Sequence, residues 1–266
     1  AVAVIMIGLL ITFVLVWRLL VELFGRRGLT LVPFALFCFS PLTLPATTWL
    51  SAAIIWIPLM AAVAGMTRQH VRFVRTGHMK HAVWAVAWLA FGFLSFEKML
   101  VALPYIVVLT FALQPDVRFA WAPLWRLFLR TRAVWIGYAA LTTAYLFLYI
   151  GSLQRDEGRS TLYVPSISQL WDFIYLSVLR TFVPATFGGP WRWQPVGYGG
   201  ALVDSPRFFD WVALCLACAL IVLSLASRRA MARHWASLLV YLAGSLGVLA
   251  AGRVALGGPI LALETR

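Results

Sequence analysis

Long apolar runs dominate the chain, and its polar residues gather between the runs instead of alternating with them. Eight runs can be marked, at about 1–24, 29–45, 47–66, 82–96, 99–113, 133–151, 209–226 and 236–251. Segments that are hydrophobic on every face suit helices in lipid, where the backbone has no water to bond to and must bond to itself. At ~1.5 Å of rise per residue, about 20 residues cross a hydrocarbon layer of about 30 Å. Several runs fall short of that, so tilting, kinking or incomplete crossing is expected of them. The pattern predicts an all-α fold, a polytopic transmembrane helical bundle of about eight hydrophobic segments forming one domain over 1–266.

Composition strengthens this reading. Hydrophobic residues make up 62% of the 266, charged residues 12%, and the mean hydropathy is +0.89, which excludes an ordinary soluble domain. Cys38, Cys215 and Cys218 all fall inside apolar runs, so no disulfide framework is expected. Cys215 and Cys218 match C-x-x-C, but without a further ligand they read as small packed hydrophobes. His70, His78 and His81 fall in one basic connector and His234 in another, with no carboxylates beside them, so no metal site is predicted. Neither a G-x-x-x-x-G-K-[ST] loop, a G-x-G-x-x-G turn nor an H-E-x-x-H helix occurs, which sets aside ATP-driven pumps, dinucleotide enzymes and zinc proteases. The cofactor is thus unknown, and a divalent cation stays open. The chain begins at Ala1 inside an apolar run, so it is expected to be cut from a longer one carrying an earlier span and a first external loop.

The net charge of +13 is at first ambiguous between nucleic acid and topology. Its distribution decides. The connectors alternate between a basic set (Arg26 and Arg27; Arg68, Arg72, Arg75 and Lys80; Arg118, Arg126, Arg130 and Arg132; Arg228, Arg229 and Arg233) and a nearly neutral one. With Arg18, Glu22 and Asp116 added, the basic set has fourteen cations and two acids, net +12; the other side has eight cations and seven acids, net +1. By the positive-inside rule the basic connectors face the cytoplasm of a plasma, or bacterial inner, membrane. The tips at Pro41–Trp49 and Phe96–Lys98, the segment 152–208 and the tail then face outward. The partner implied is the bilayer, with anionic headgroups at the basic loops, and no nucleic acid.

The segment 152–208 is the only long connector, and it is too aromatic for a solvated linker. Within it, about 168–183 reads as an interfacial helix with Ser168 as its N-cap, Asp172 in its early turns and Pro184 at its end. The stretch Gly188–Gly200 that follows is turn chemistry interleaved with Trp191, Trp193 and Tyr198. Flat rings there could pack on sugar rings, and Arg192 could hold a phosphate bidentately; the alternative is an aromatic belt that anchors the loop at headgroup level. Glu97 and Lys98 sit between two short apolar runs, where ionisable groups are functional candidates unless they form a plain hairpin turn.

Several stretches carry a resemblance: Phe39–Trp49 with its two prolines, Pro58, Arg72–His78, Phe96–Lys98, Gly188–Trp193 and Glu264–Arg266. Together they resemble actinobacterial polytopic membrane proteins of the GT-C superfamily, the multi-span glycosyltransferases that use polyprenyl-phosphate sugars. The resemblance implies sugar transfer to a cell-envelope glycan or lipid acceptor on the outer side. It also implies a lipid-donor groove shaped by short spans, and a carboxylate base in a first external loop to which no residue of this chain corresponds. On this reading Glu97 is the acid within reach, in a supporting role. Lys98, Arg192 and Arg266 would hold the phosphate, with the sugar near Trp191 and Trp193. Two rivals share these residues: a carrier or flippase for lipid-linked saccharides, and a non-catalytic assembly subunit. The scarcity of charge in mid-span favours the transferase over the carrier.

Overall fold

A computed structural model describes residues 2–39, 50–113, 121–153, 166–187, 207–227 and 231–253. Among these residues the regular structure is entirely helical. The chain divides into two compact units.

In the first unit, α1 (Val2–Phe24) is followed by a short 3-10 turn (Gly28–Thr30) and α2 (Leu31–Cys38). Then come α3 (Leu50–Thr76) and α4 (Met79–Ser95), a 3-10 turn (Glu97–Val101), α5 (Ala102–Ala112) and α6 (Trp121–Leu153). Glycine ends α1 and α3 at the same kind of junction. Gly25 (φ 77°) and Gly77 (φ 71°) take the left-handed conformation open to glycine, and their N–H groups close back on the Val21 and Phe73 carbonyls.

Close approach at small residues fixes the packing. α1 and α3 run parallel: Thr12 Oγ1 lies 2.9 Å from the Gly8 carbonyl and 3.3 Å from that of Ile57, and about three turns further along α1 Glu22 meets Arg72 at 2.8 Å. α4 returns antiparallel, so close that a Cβ on Gly65 would sit 2.4 Å from the Trp88 ring. α6 runs alongside α4, with Gly137 against Val86 and Phe93 stacked on Tyr145 at 4.4 Å. Such backbone proximity is how helices associate where lipid offers no hydrophobic drive. The core these contacts enclose joins Leu59, Ala62, Met66 and Phe73 of α3 to Ala85, Leu89 and Phe93 of α4, Ile106 of α5 and Tyr138 of α6.

The second unit holds α7 (Ile167–Tyr175), a π-helical turn (Leu176–Phe182), α8 (Val183–Thr186), α9 (Arg207–Ser227) and α10 (Met231–Arg253). Phe173 is buried against Leu170, Ile174, Leu176 and Leu246, and the Trp235 indole N–H donates to Ser224 at 2.7 Å to join α10 to α9. The helix expected at about 168–183 is present, with its start corrected. Ser166, not Ser168, is the cap: its Oγ accepts from Gln169 N, and Gln169 Oε1 accepts from Ser166 N at 3.0 Å. That reciprocal pair satisfies two backbone donors that a cap at Ser168 would leave open.

Among the described residues, three helices are long and apolar enough to cross a membrane: Ala3–Phe24, Ala52–Thr76 and Phe208–Ser227. Two helices, α3 and α6, outgrow the runs that announced them by ten residues or more. α3 continues from 66 to Thr76, and α6 starts at Trp121 instead of 133. Arg, Gln and Met are good helix formers, so a helix persists past the point where hydropathy falls. Arg68, His70, Arg72 and Arg75 therefore stand on a helix, not in the loop that the run boundaries suggest.

Candidate functional site

Of the six residues singled out for function, Glu97 and Lys98 lie within the described structure, and Trp191, Arg192, Trp193 and Arg266 lie outside it. So does the two-proline tip 41–49.

The turn that carries Glu97 and Lys98 is built by local chemistry. Ser95 Oγ donates to the Phe91 carbonyl at 2.8 Å, α4 ends, and Phe96 adopts an extended backbone. Met99 plugs the turn into the core: it is fully buried against Gly92, where a Cβ would meet its sulfur at 2.5 Å. The two ionisable residues before Met99 stay half-buried at the end of the unit. Lys98 Nζ lies 4.7 Å from the Trp56 ring centre and 5.2 Å from that of Phe96, and the two rings meet edge to face at 5.6 Å. A cation over ring faces is held electrostatically in a partly desolvated setting, where its attraction for an oxyanion is stronger than in water.

A groove of about 490 Å³ opens beside this turn between α4 and α6, lined by Ala90, Phe93, Leu94, Leu141, Ala144, Tyr145, Leu148 and Tyr149. Tyr145 stacks between Phe93 and Tyr149 and is within electrostatic reach of Glu97. A carboxylate, an ammonium, an aromatic wall and an apolar channel therefore occur at one end of the unit. Such a set can hold an amphiphile whose polar part carries negative charge. Trp56 lies far from Lys98 in sequence, and nothing local announces the pairing; it needs the fold of α3 against the 97–101 turn.

A second polar constellation lies inside the unit. His70 is fully buried on α3, with Nε2 2.8 Å from Thr110 Oγ1 of α5 and Nδ1 3.2 Å from the Tyr138 hydroxyl of α6. Thr110 gives its own proton to the Ile106 carbonyl at 2.7 Å. It can therefore only accept from His70, which makes Nε2 the protonated nitrogen and Nδ1 the acceptor for Tyr138 O–H. Every donor has an acceptor, and the ring stacks on Tyr138 and meets Trp135 edge-on. This junction ties three helices together without a charge. Its signal in the sequence is the α3 stripe Leu59, Ala62, Met66, His70, Phe73, which is in phase with the helix throughout.

The chain matches no protein-family model, no curated protein and no solved structure.

Proposed function

We propose that this chain is the membrane core of a sugar transferase that moves a glycosyl group from a polyprenyl-phosphate donor to a cell-envelope acceptor on the outer side of the plasma membrane. The eight apolar runs are its membrane segments, the basic connectors lie in the cytoplasm, and the 97–101 turn lies at the outer edge. The observation that carries the reading is the juxtaposition of Glu97 and Lys98 with Trp56, Phe96 and the Tyr145-lined groove. In an inverting displacement the acceptor oxygen bonds to the anomeric carbon as the bond to the phosphate oxygen breaks. The departing phosphate needs positive charge, and the acceptor hydroxyl must lose a proton. Lys98 meets the first need, and Glu97 assists the second beside a main base elsewhere in the full-length protein. Trp191, Arg192, Trp193 and Arg266 complete the donor contacts in this proposal.

The test is transfer by the full-length protein from a radiolabelled polyprenyl-phosphate sugar to envelope acceptor. Lys98→Met is expected to lower kcat/KM by about tenfold, the loss of one charge-assisted hydrogen bond. Glu97→Gln should lower kcat with KM little changed. Absence of transfer by the unaltered protein, or wild-type rates in both variants, overturns the proposal.

A further inference from the structure

A second groove lies on the first unit, and its surroundings point to a different occupant. It encloses about 440 Å³ between α1, α3 and α4, with Ile57 and Ala61 in the floor and Ile11, Trp84 and Phe91 at a rim that is half exposed. Gly8 and Pro58 also line it, and Gly8 gives α3 room against α1. Every lining residue is apolar or glycine.

The stripes that form this groove continue into an arginine cluster. Along α1, Gly8 and Ile11 lead to Arg18 and Glu22 at helical spacing; along α3, Ile57 and Ala61 lead to Arg68 and Arg72. Glu22 is the only carboxylate on these two helices; three guanidinium groups gather at it, and Arg18 stands within electrostatic reach of one of them, Arg68. Arg72 Nε donates to it at 2.8 Å, Arg68 Nε and Arg75 Nη1 stand 4.0 and 3.9 Å away, and Arg75 also donates to the Glu22 carbonyl. Arg68 is the most enclosed of them, with its side chain 16% exposed and its buried Nε without a hydrogen-bond acceptor among the described residues. One carboxylate cannot satisfy four cations, so the cluster keeps an excess of three positive charges.

From Ile57 to Arg68 the helix rises about 16 Å, close to half of a ~30 Å hydrocarbon layer. A chain lying in the groove with its head at the arginines would thus span one leaflet. We infer that the α1–α3–α4 groove with the cluster Arg18, Arg68 and Arg72 is a binding site for an anionic phospholipid of the leaflet on the arginine side. Its phosphate sits at the guanidinium groups and one acyl chain lies between Ile11, Ala61 and Trp84. The inference rests on the membrane-crossing character of α1 and α3 and is independent of any transferase activity.

The test uses the full chain, purified in dodecylmaltoside, delipidated and titrated with dioleoyl-phosphatidylglycerol, with dioleoyl-phosphatidylcholine or with inorganic phosphate, and read by native mass spectrometry. One phosphatidylglycerol should bind more tightly than phosphatidylcholine. At roughly fivefold per interfacial charge, Arg68→Gln with Arg72→Gln should weaken it about thirtyfold. Glu22→Gln, which removes the competing carboxylate, should tighten it about fivefold, a gain that misfolding cannot produce. Ala87→Phe places a ring in the groove from an exposed position on α4 and should weaken the lipid while leaving the thermal unfolding temperature unchanged. Equal binding of the two lipids overturns the inference, as does an affinity within twofold of wild type in both the arginine and Ala87 variants. Displacement by inorganic phosphate with no effect of Ala87→Phe would show a headgroup contact without the groove, and overturns it too.

Discussion

Removing both His70 and Tyr138 from their junction should cost less than the sum of removing each alone. Tyr138→Phe deletes the hydroxyl that donates to His70 Nδ1 and leaves a buried acceptor with nothing in reach. His70→Leu leaves the Tyr138 O–H without an acceptor, whereas Thr110 keeps its bond to the Ile106 carbonyl and loses only an accepted proton. An orphaned buried polar group costs about 1–3 kcal/mol, and hydrogen bonds between membrane helices average about 0.6 and reach about 1.7 kcal/mol in double-mutant cycles. Full burial of His70 and near-complete burial of Tyr138 place this pair toward the upper end. We expect Tyr138→Phe to destabilise by about 1–2 kcal/mol and His70→Leu by about 2–3, the extra coming from lost ring packing against Trp135 and Tyr138. The double variant should fall short of the sum by about 1 kcal/mol, because neither orphan then exists. The assay is reversible unfolding in mixed micelles titrated with dodecyl sulfate and followed by tryptophan fluorescence, for which Trp135 is a reporter at the junction itself. Additivity to within about 0.3 kcal/mol would refute the argument that these groups satisfy one another.

Other substitutions probe the remaining contacts. Gly65→Ala puts a methyl group 2.4 Å from the Trp88 indole and should destabilise the first unit by about 1–3 kcal/mol, with Trp88→Leu restoring part of the loss in the same unfolding assay. Gly137→Ala, against the movable Val86 side chain at 2.6 Å, should be rescued by Val86→Ala. Ser166→Ala removes the acceptor for Gln169 N and should cost about 1 kcal/mol locally, read as faster amide exchange at 168–170 with exchange in α9 unaltered. Replacing Trp56 by Leu should leave the fold intact and reproduce part of the Lys98→Met defect in transfer, since it removes one of the two rings that hold the ammonium.

Hydropathy announced where apolar helices lie, because a lipid-facing surface leaves its mark on consecutive residues. It marked their ends poorly, because Arg68, Gln69, Arg72 and Arg75 continue α3 as readily as leucine does while lowering the average. His70 shows the consequence. Grouped with His78 and His81 it reads as part of a basic loop; placed four residues after Met66 and three before Phe73 it belongs to the buried stripe. The Glu97–Lys98 turn was legible as charge between two apolar runs. Trp56 as its partner was not, because a cation–aromatic contact between distant residues follows from how α3 packs and has no local spacing rule. The cap at Ser166 was legible in principle: Ser166 and Gln169 stand at capping-box spacing, and the pattern was obscured by a second serine at 168.

The two ends of the first unit handle charge in opposite ways, and this separates their chemistry. From Trp56, which touches Lys98, to Arg72, which touches Glu22, α3 rises about 24 Å, most of the depth of a hydrocarbon layer. At the arginine end one carboxylate meets three guanidinium groups, with Arg18 near one of them, so the field there is fixed and positive and suits a permanent anion that stays bound. At the other end one carboxylate and one ammonium sit on the same short turn, so the local charge is near balance, and aromatic faces occupy the positions that counter-ions hold at the arginine end. A balanced site binds a charged group less tightly in the ground state but responds when charge builds during a reaction, which is the property that turnover requires. Exchanging the two characters is therefore informative: Glu97→Lys should convert the turn into a static anion trap that retains lipid phosphate and abolishes transfer. If this variant kept full activity without retaining lipid, the turn would not be where charge develops.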